Sequence, residues 1–211
     1  MLKKIFCLVF YSLVLCLYAA ISAQAAAPTD KIKDTTDKIL AIVSDPALKA
    51  PEKAEQRRAK IRAVLDERFD WEEMARRSLG PHWAKRTPDE IKEFVGLYKK
   101  LLERTYLDKV ESYSGEKVIY LGDVIDNGYG TVKVKIITTK DQEIQVEYRL
   151  RNKSEDWFVY DIFIEGVSLV NNYRAQFNSI LTKSSYQQLV QRLTEKVTQD
   201  YKKEHREDQE K

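Results

Sequence analysis

Within this 211-residue chain, Trp157-Phe158-Val159-Tyr160 and Ile162-Phe163-Ile164 form an apolar run interrupted only by Asp161. Aromatic and β-branched residues at successive positions are apolar whichever way they point, which requires a strand covered on both faces. A strand with one face in water would alternate. Gly166 then breaks the run, Ser168 is placed to cap a helix with its hydroxyl, and Leu169, Tyr173, Phe177, Ile180 and Leu181 recur at helical spacing. Strand turns directly into helix here, and the rest of the chain must pack around that junction.

Upstream of the junction the hydrophobic period is 2. Strands are expected over 117–126, 129–139, 142–151 and 156–165, with Asn127-Gly128 as a hairpin dipeptide, Lys140-Asp141 as a two-residue link and Asn152–Glu155 as a polar turn. Links this short force antiparallel neighbours, so the expectation is a four-stranded meander. Ile144, Val146, Tyr148 and Leu150 point one way and Glu143, Gln145, Glu147 and Arg149 the other, while Val132, Val134 and Ile136 oppose Lys133 and Lys135. One face is greasy and the other is wet, except near the last strand.

Before the strands the period is helical. Helices are expected over 30–44 and about 52–67, followed by a short one capped by Asp70 and stopped by Gly80-Pro81. Thr87-Pro88-Asp89-Glu90 is a capping box that opens the longest helix, 88 to about 112, whose stripe runs through Ile91, Phe94, Val95, Tyr98, Leu101, Leu102, Thr105, Tyr106, Lys109 and Val110. Two helices close the chain, 168–181 and about 184–201. The expected fold class is α+β, a four-stranded antiparallel meander covered on one face by helices, with room for an apolar cavity between them.

The first 25 residues stand apart. A positive start at Lys3-Lys4, an apolar run from Ile5 to Ala20 and Ala23-Gln24-Ala25 read as a cleaved secretory signal peptide. Residues 26–201 then form one domain and the wholly polar 202–211 a disordered tail. Both cysteines, Cys7 and Cys16, lie in the leader, so the exported chain has neither a disulfide nor a thiolate ligand. Of the 36 basic residues, Lys3 and Lys4 leave with the leader, and 34 remain against 33 acidic, which is no nucleic-acid footprint.

Chemistry is scarce. His82 and His205 are the two histidines, too few for a zinc site, and no cofactor is expected. Gly166-Val167-Ser168 follows a strand and opens a helix as a nucleophile elbow does, but position 170 is Val and the strands are antiparallel, so Ser168 reads as a cap. Asp161, inside an apolar strand, needs a partner, for which an arginine such as Arg174 is the expectation.

Phe69-Asp70 with Met74-Ala75-Arg76, Leu79-Gly80 with Trp83, Tyr148-Arg149-Leu150, Trp157 to Asp161, and Ile164 to Val170 with Asn172-Tyr173-Arg174 and Gln176-Phe177 resemble the MlaC family. These are periplasmic phospholipid-binding proteins of the Mla lipid-asymmetry system, also called toluene-tolerance proteins. The resemblance implies a non-enzymatic carrier that holds phospholipid by its acyl chains. It also implies that lipid is shuttled between an outer-membrane lipoprotein complex and an inner-membrane ABC transporter with a ring-shaped substrate-binding protein. The rival readings are a lipid-modifying hydrolase and a carrier or chaperone for lipoproteins.

Alternation and spacing, independently of the resemblance, nominate the cavity lining: Val132, Val134, Ile136, Ile144, Val146, Tyr148 and Leu150 from the sheet, and Phe94, Tyr98, Leu101, Leu102 and Tyr106 from the long helix. Phe163 and Tyr173 are added from the junction. If the greasy face forms the cavity, Val146→Glu lowers the amount of co-purifying lipid while Glu147→Lys, one residue away on the wet face, does not. Equal losses in two folded variants would overturn the face assignment.

Overall fold

The computed structural model describes residues 26–207, so the expected signal peptide and residues 208–211 lie outside the described residues. Four helices come first: α1 (Pro28–Ser44), α2 (Ala54–Arg68), α3 (Trp71–Leu79) and α4 (Pro88–Glu111). The strands β1 (Lys117–Asp126), β2 (Tyr129–Ile137), β3 (Glu143–Lys153), β4 (Asp156–Ile164) and β5 (Val167–Ser168) follow, then α5 (Leu169–Leu181) and α6 (Tyr186–Glu207). The last helix runs on past Tyr201 into the polar stretch. No helix among the described residues is long and apolar enough to cross a membrane.

The helix boundaries follow from local hydrogen bonding. The Asp70 side chain accepts the Glu73 N–H to start α3, and Gly80, at φ +58°, ends it. Thr87 and Glu90 complete the capping box, each side chain accepting the other's backbone N–H.

The sheet is an antiparallel meander in the order β1-β2-β3-β4-β5, with one strand more than expected. Glu165 and Gly166 both adopt positive φ, 49° and 77°, and this tight reversal lays Val167 and Ser168 back against Ile164 and Phe163. A two-residue strand is too short to show a period. Asn127-Gly128 makes the expected turn with both residues at positive φ. The β2–β3 link is longer than Lys140-Asp141, because Thr138 Oγ1 accepts the Lys140 and Gln142 N–H groups and its own N–H bonds the Gln142 carbonyl. That Thr-centred turn draws 138–142 out of the ladder.

A bulge explains how β4 is apolar on both faces. Arg149 pairs with Asp161 but Leu150 pairs with Val159, which leaves Tyr160 as the extra residue. Trp157, Val159, Ile162 and Ile164 thus share one face, while Asp161 and Phe163 take the other. Along the edge that β5 occupies farther on, β4 receives a parallel bridge from Phe69, and the Asp70 N–H donates to the Val159 carbonyl at 2.9 Å. Buried Arg68 donates to the Trp157 carbonyl and Arg151 pairs with Asp70, so the α2–α3 corner is riveted to the strand.

Asp161 does not pair with Arg174. Its carboxylate accepts the Ser168 hydroxyl at 2.6 Å and the N–H groups of Ile162 and Val170 at 2.8 and 3.1 Å, and Ser168 Oγ in turn accepts the Asn171 N–H at 2.9 Å. Neighbouring donors reach a buried carboxylate without the entropy of ordering a long side chain. Removing the acceptor strands these donors, so Asp161→Ala is expected to cost roughly 2–4 kcal/mol in urea unfolding, and Asp161→Asn distinctly less because an amide oxygen still accepts. Equal losses would mean that the strand-to-helix turn does not depend on this network.

Candidate functional site

The β2–β3 register sets Val132 opposite Tyr148, Val134 opposite Val146 and Ile136 opposite Ile144, with Leu150 opposite Gly130. All seven nominated sheet residues therefore share one face. They join Ile32 of α1, Trp157 and Val159 in a single apolar cluster, to which Val118, Tyr120 and Ile162 also belong. These last three are wall residues that the nomination missed. Val118 and Tyr120 were legible in the alternation of β1, whereas Ile162 was hidden by the bulge.

This wall is filled at one end and accessible at the other. Val132, Leu150 and Val159 have no exposed surface, and a Cβ on Gly130 would stand 3.0 Å from Pro28 Cγ and 3.3 Å from Trp157 Cζ3. Ile136, Ile144, Tyr148 and Ile162 remain half-exposed although they face inward. Tyr148 is the informative one. Desolvation by burial, with Tyr120 adding to it, pushes its phenol up to about 12, yet the residue keeps surface that nothing among the described residues covers. Tyr120 is also raised, chiefly by burial. The wall is thus apolar with two neutral hydroxyls, and it can hold hydrocarbon but offers no charge.

The helix nominees do not lie on this wall. Phe94, Tyr98, Leu101, Leu102 and Tyr173 are buried in a second core with Met74, Leu79, Phe177, Tyr186, Leu189 and Leu193. Tyr98 stands edge-on to Tyr173 at 5.5 Å, Phe94 edge-on to Phe177 at 5.6 Å, and Ser78 Oγ donates to Tyr98 Oη at 2.8 Å. Burial holds the Tyr98 phenol protonated. Aromatic rings meet edge-on throughout that core. Tyr106 is half-buried at its margin, and farther along α4 Leu107 and Val110 pack in a third cluster with Val43 and Ile61. One stripe serves two cores because a helix of 24 residues outruns either. Phe163 lies on the opposite sheet face, beneath Arg149, whose guanidinium carbon is 5.0 Å from the ring centroid.

The other chemical candidates are structural. Ser168 caps α5, and His82 Nε2 bonds Asn178 Oδ1 at 3.0 Å. Among the described residues no three His, Cys, Asp or Glu side chains converge to hold a metal.

The buried phenols carry a pH signature. Tyr148 at about 12, against 10.0 for a free phenol, favours the neutral form in the folded state. Its contribution to stability is complete below pH 10 and is lost as the pH rises towards 12, because the unfolded chain releases the proton first. Urea midpoints of Tyr148→Phe should therefore fall less steeply than those of the parent between pH 10 and 12. Parallel curves would mean that this phenol is solvated.

Comparison with known proteins shows the family and the fold. The family model described as MlaC protein matches residues 33–195. The intermembrane phospholipid transport system binding protein MlaC of Haemophilus influenzae is 22% identical over 203 residues, spanning 94% of this chain and 95% of that one. A phospholipid-binding protein from Ralstonia solanacearum, solved in complex with a phospholipid, superposes with a TM-score of 0.73 at 26% identity, over 83% of this chain and 99% of that one. Both relatives are described as binding proteins, and neither description names a reaction. With a family match over most of its length, an antiparallel sheet backed by helices and an inward apolar wall, the chain belongs to the MlaC family.

Proposed function

We propose that this protein is a periplasmic phospholipid carrier and not an enzyme. The observation that carries the reading is the inward sheet wall, apolar and filled at the Gly130 end, with Ile136, Ile144, Tyr148 and Ile162 left uncovered at the other. The phospholipid held by the Ralstonia relative supports it, as does the transport system named for the Haemophilus relative. Val132, Val134, Ile136, Ile144, Val146, Tyr148 and Leu150, with Val118, Tyr120 and Ile162, line the acyl-chain site. Phe94, Tyr98, Leu101, Leu102 and Tyr173 brace it from the helical core, with Tyr106 at the margin.

Passing ~30 methylenes through water at ~0.8 kcal/mol each costs roughly 25 kcal/mol, so a carrier must enclose most of both tails to compete with a bilayer. Enclosed volume matters more than polar contacts, which accounts for a wall whose polar groups are two phenols. In this reading the first 25 residues export the chain to the periplasm. There it moves lipid between an outer-membrane lipoprotein complex and an inner-membrane ABC transporter with its ring-shaped substrate-binding protein, maintaining outer-membrane asymmetry.

Native mass spectrometry of protein purified from the periplasm without detergent, before and after organic extraction, tests this directly. A phospholipid mass that extraction removes is the expected result, and a clean unliganded mass counts against the carrier. Ile136→Trp sharpens the test. Filling an empty hollow should lower lipid occupancy severalfold with little change in urea stability, whereas overfilling a solid core costs about 1–3 kcal/mol.

A further inference from the structure

A concavity lies on the wet face of the sheet. A cleft of about 350 Å³ opens there between β4 and the first turns of α5, lined by Arg77, Arg149, Tyr160, Phe163, Asn171 and Arg174 with Asp161 at its base. It lies on the opposite side of the sheet from the acyl wall, because Arg149 pairs with Asp161 and Glu147 with Phe163, whereas Val146 and Tyr148 pair with Ile164 and Ile162.

Two of the three guanidinium groups are held by hydrogen bonds within the protein, and the third, that of Arg174, is exposed. Arg77 lies 4.1 Å over the Tyr160 ring and donates Nε to Glu73 at 2.6 Å. Arg149 lies over Phe163, donating Nη1 to Thr131 and Nη2 to Glu147 at 2.9 Å each, while its Nε is buried with no hydrogen-bond partner among the described residues. Arg174 rests on Gly80, where a Cβ would stand 2.9 Å from its Nε, and no carboxylate pairs with it among the described residues. Asp161, the one acid in the cleft, spends its oxygens on Ser168 and on backbone N–H groups.

Arg149 Nε is a buried donor without an acceptor, which is costly, Arg174 is an exposed cation without a carboxylate, and a planar guanidinium fork matches the oxygens of a tetrahedral oxyanion. We infer that this cleft binds a phosphate group through Arg149 and Arg174, at a site distinct from the acyl-chain wall. Free phosphate and the phosphodiester of a lipid head group share that chemistry.

Calorimetric titration of the mature protein with inorganic phosphate, in phosphate-free buffer, tests the inference. Saturable 1:1 binding is expected, weakened about tenfold by Arg174→Ala and by Gly80→Ala, which displaces Arg174, and unchanged by Lys60→Ala on exposed α2. Sedimentation with phosphatidylglycerol vesicles identifies the source. Vesicle binding that phosphate competes away and that Arg174→Ala loses marks a head-group site, and phosphate binding without vesicle binding marks a free-anion site. Absence of saturable phosphate binding, or equal affinity in the parent and Arg174→Ala, overturns the inference. Native mass spectrometry of Arg174→Ala should show bound phospholipid retained, which keeps this outcome separate from that of the carrier.

Discussion

One buried carboxylate holds the two halves of this protein in register. Asp161 accepts from the Ser168 hydroxyl and the Val170 N–H, so the end of β4 and the start of α5 are fastened across the Glu165-Gly166 reversal. Ser168 passes the connection on by capping α5. The direction in which α5 leaves the sheet then brings Tyr173 and Phe177 against Tyr98 and Phe94, and sets Arg174 on Gly80. Helical core and arginine cleft both depend on that turn.

The same strand divides the protein's two kinds of interior. Through the Tyr160 bulge β4 gives Val159 and Ile162 to the apolar wall, and Phe163 and Asp161 to the other face. The helical core beyond its edge is buried, with edge-on aromatic rings and a paired Tyr98 hydroxyl, whereas several residues of the wall beside it keep exposed surface. Riveting the α2–α3 corner to β4 through Arg68, Asp70 and Arg151 keeps the two regions apart.

Charge follows the same division. The wall's polar groups are the phenols of Tyr120 and Tyr148, which burial keeps protonated. The opposite face concentrates guanidinium groups over aromatic rings. At Glu73 burial alone would raise the carboxyl, but hydrogen bonds from Arg76 and Arg77 outweigh it and leave the group below its ordinary value. That pairing fixes Arg77 while Arg174 stays uncompensated.

Local chemistry made much of this legible in advance. The Thr87 capping box, the Asp70 cap, the Asn127-Gly128 turn and the period-2 alternation of β2 and β3 each depend on residues a few positions apart, so the helices, the meander and the shared face of the seven sheet residues could be read directly. Tertiary structure decided the rest, because those features depend on residues distant in sequence. The stripe on α4 could not reveal that Phe94 and Tyr98 meet α5 and α6 while Leu107 meets α1 and α2, since both halves have the same period. A bulge at Tyr160 was invisible in a run apolar at nearly every position. The partner of Asp161 was a hydroxyl and two N–H groups rather than an arginine, because the turn placed donors beside it that charge counting does not register. Sequence determined which surfaces are apolar, and only packing in three dimensions determined which of them are filled and which are left open.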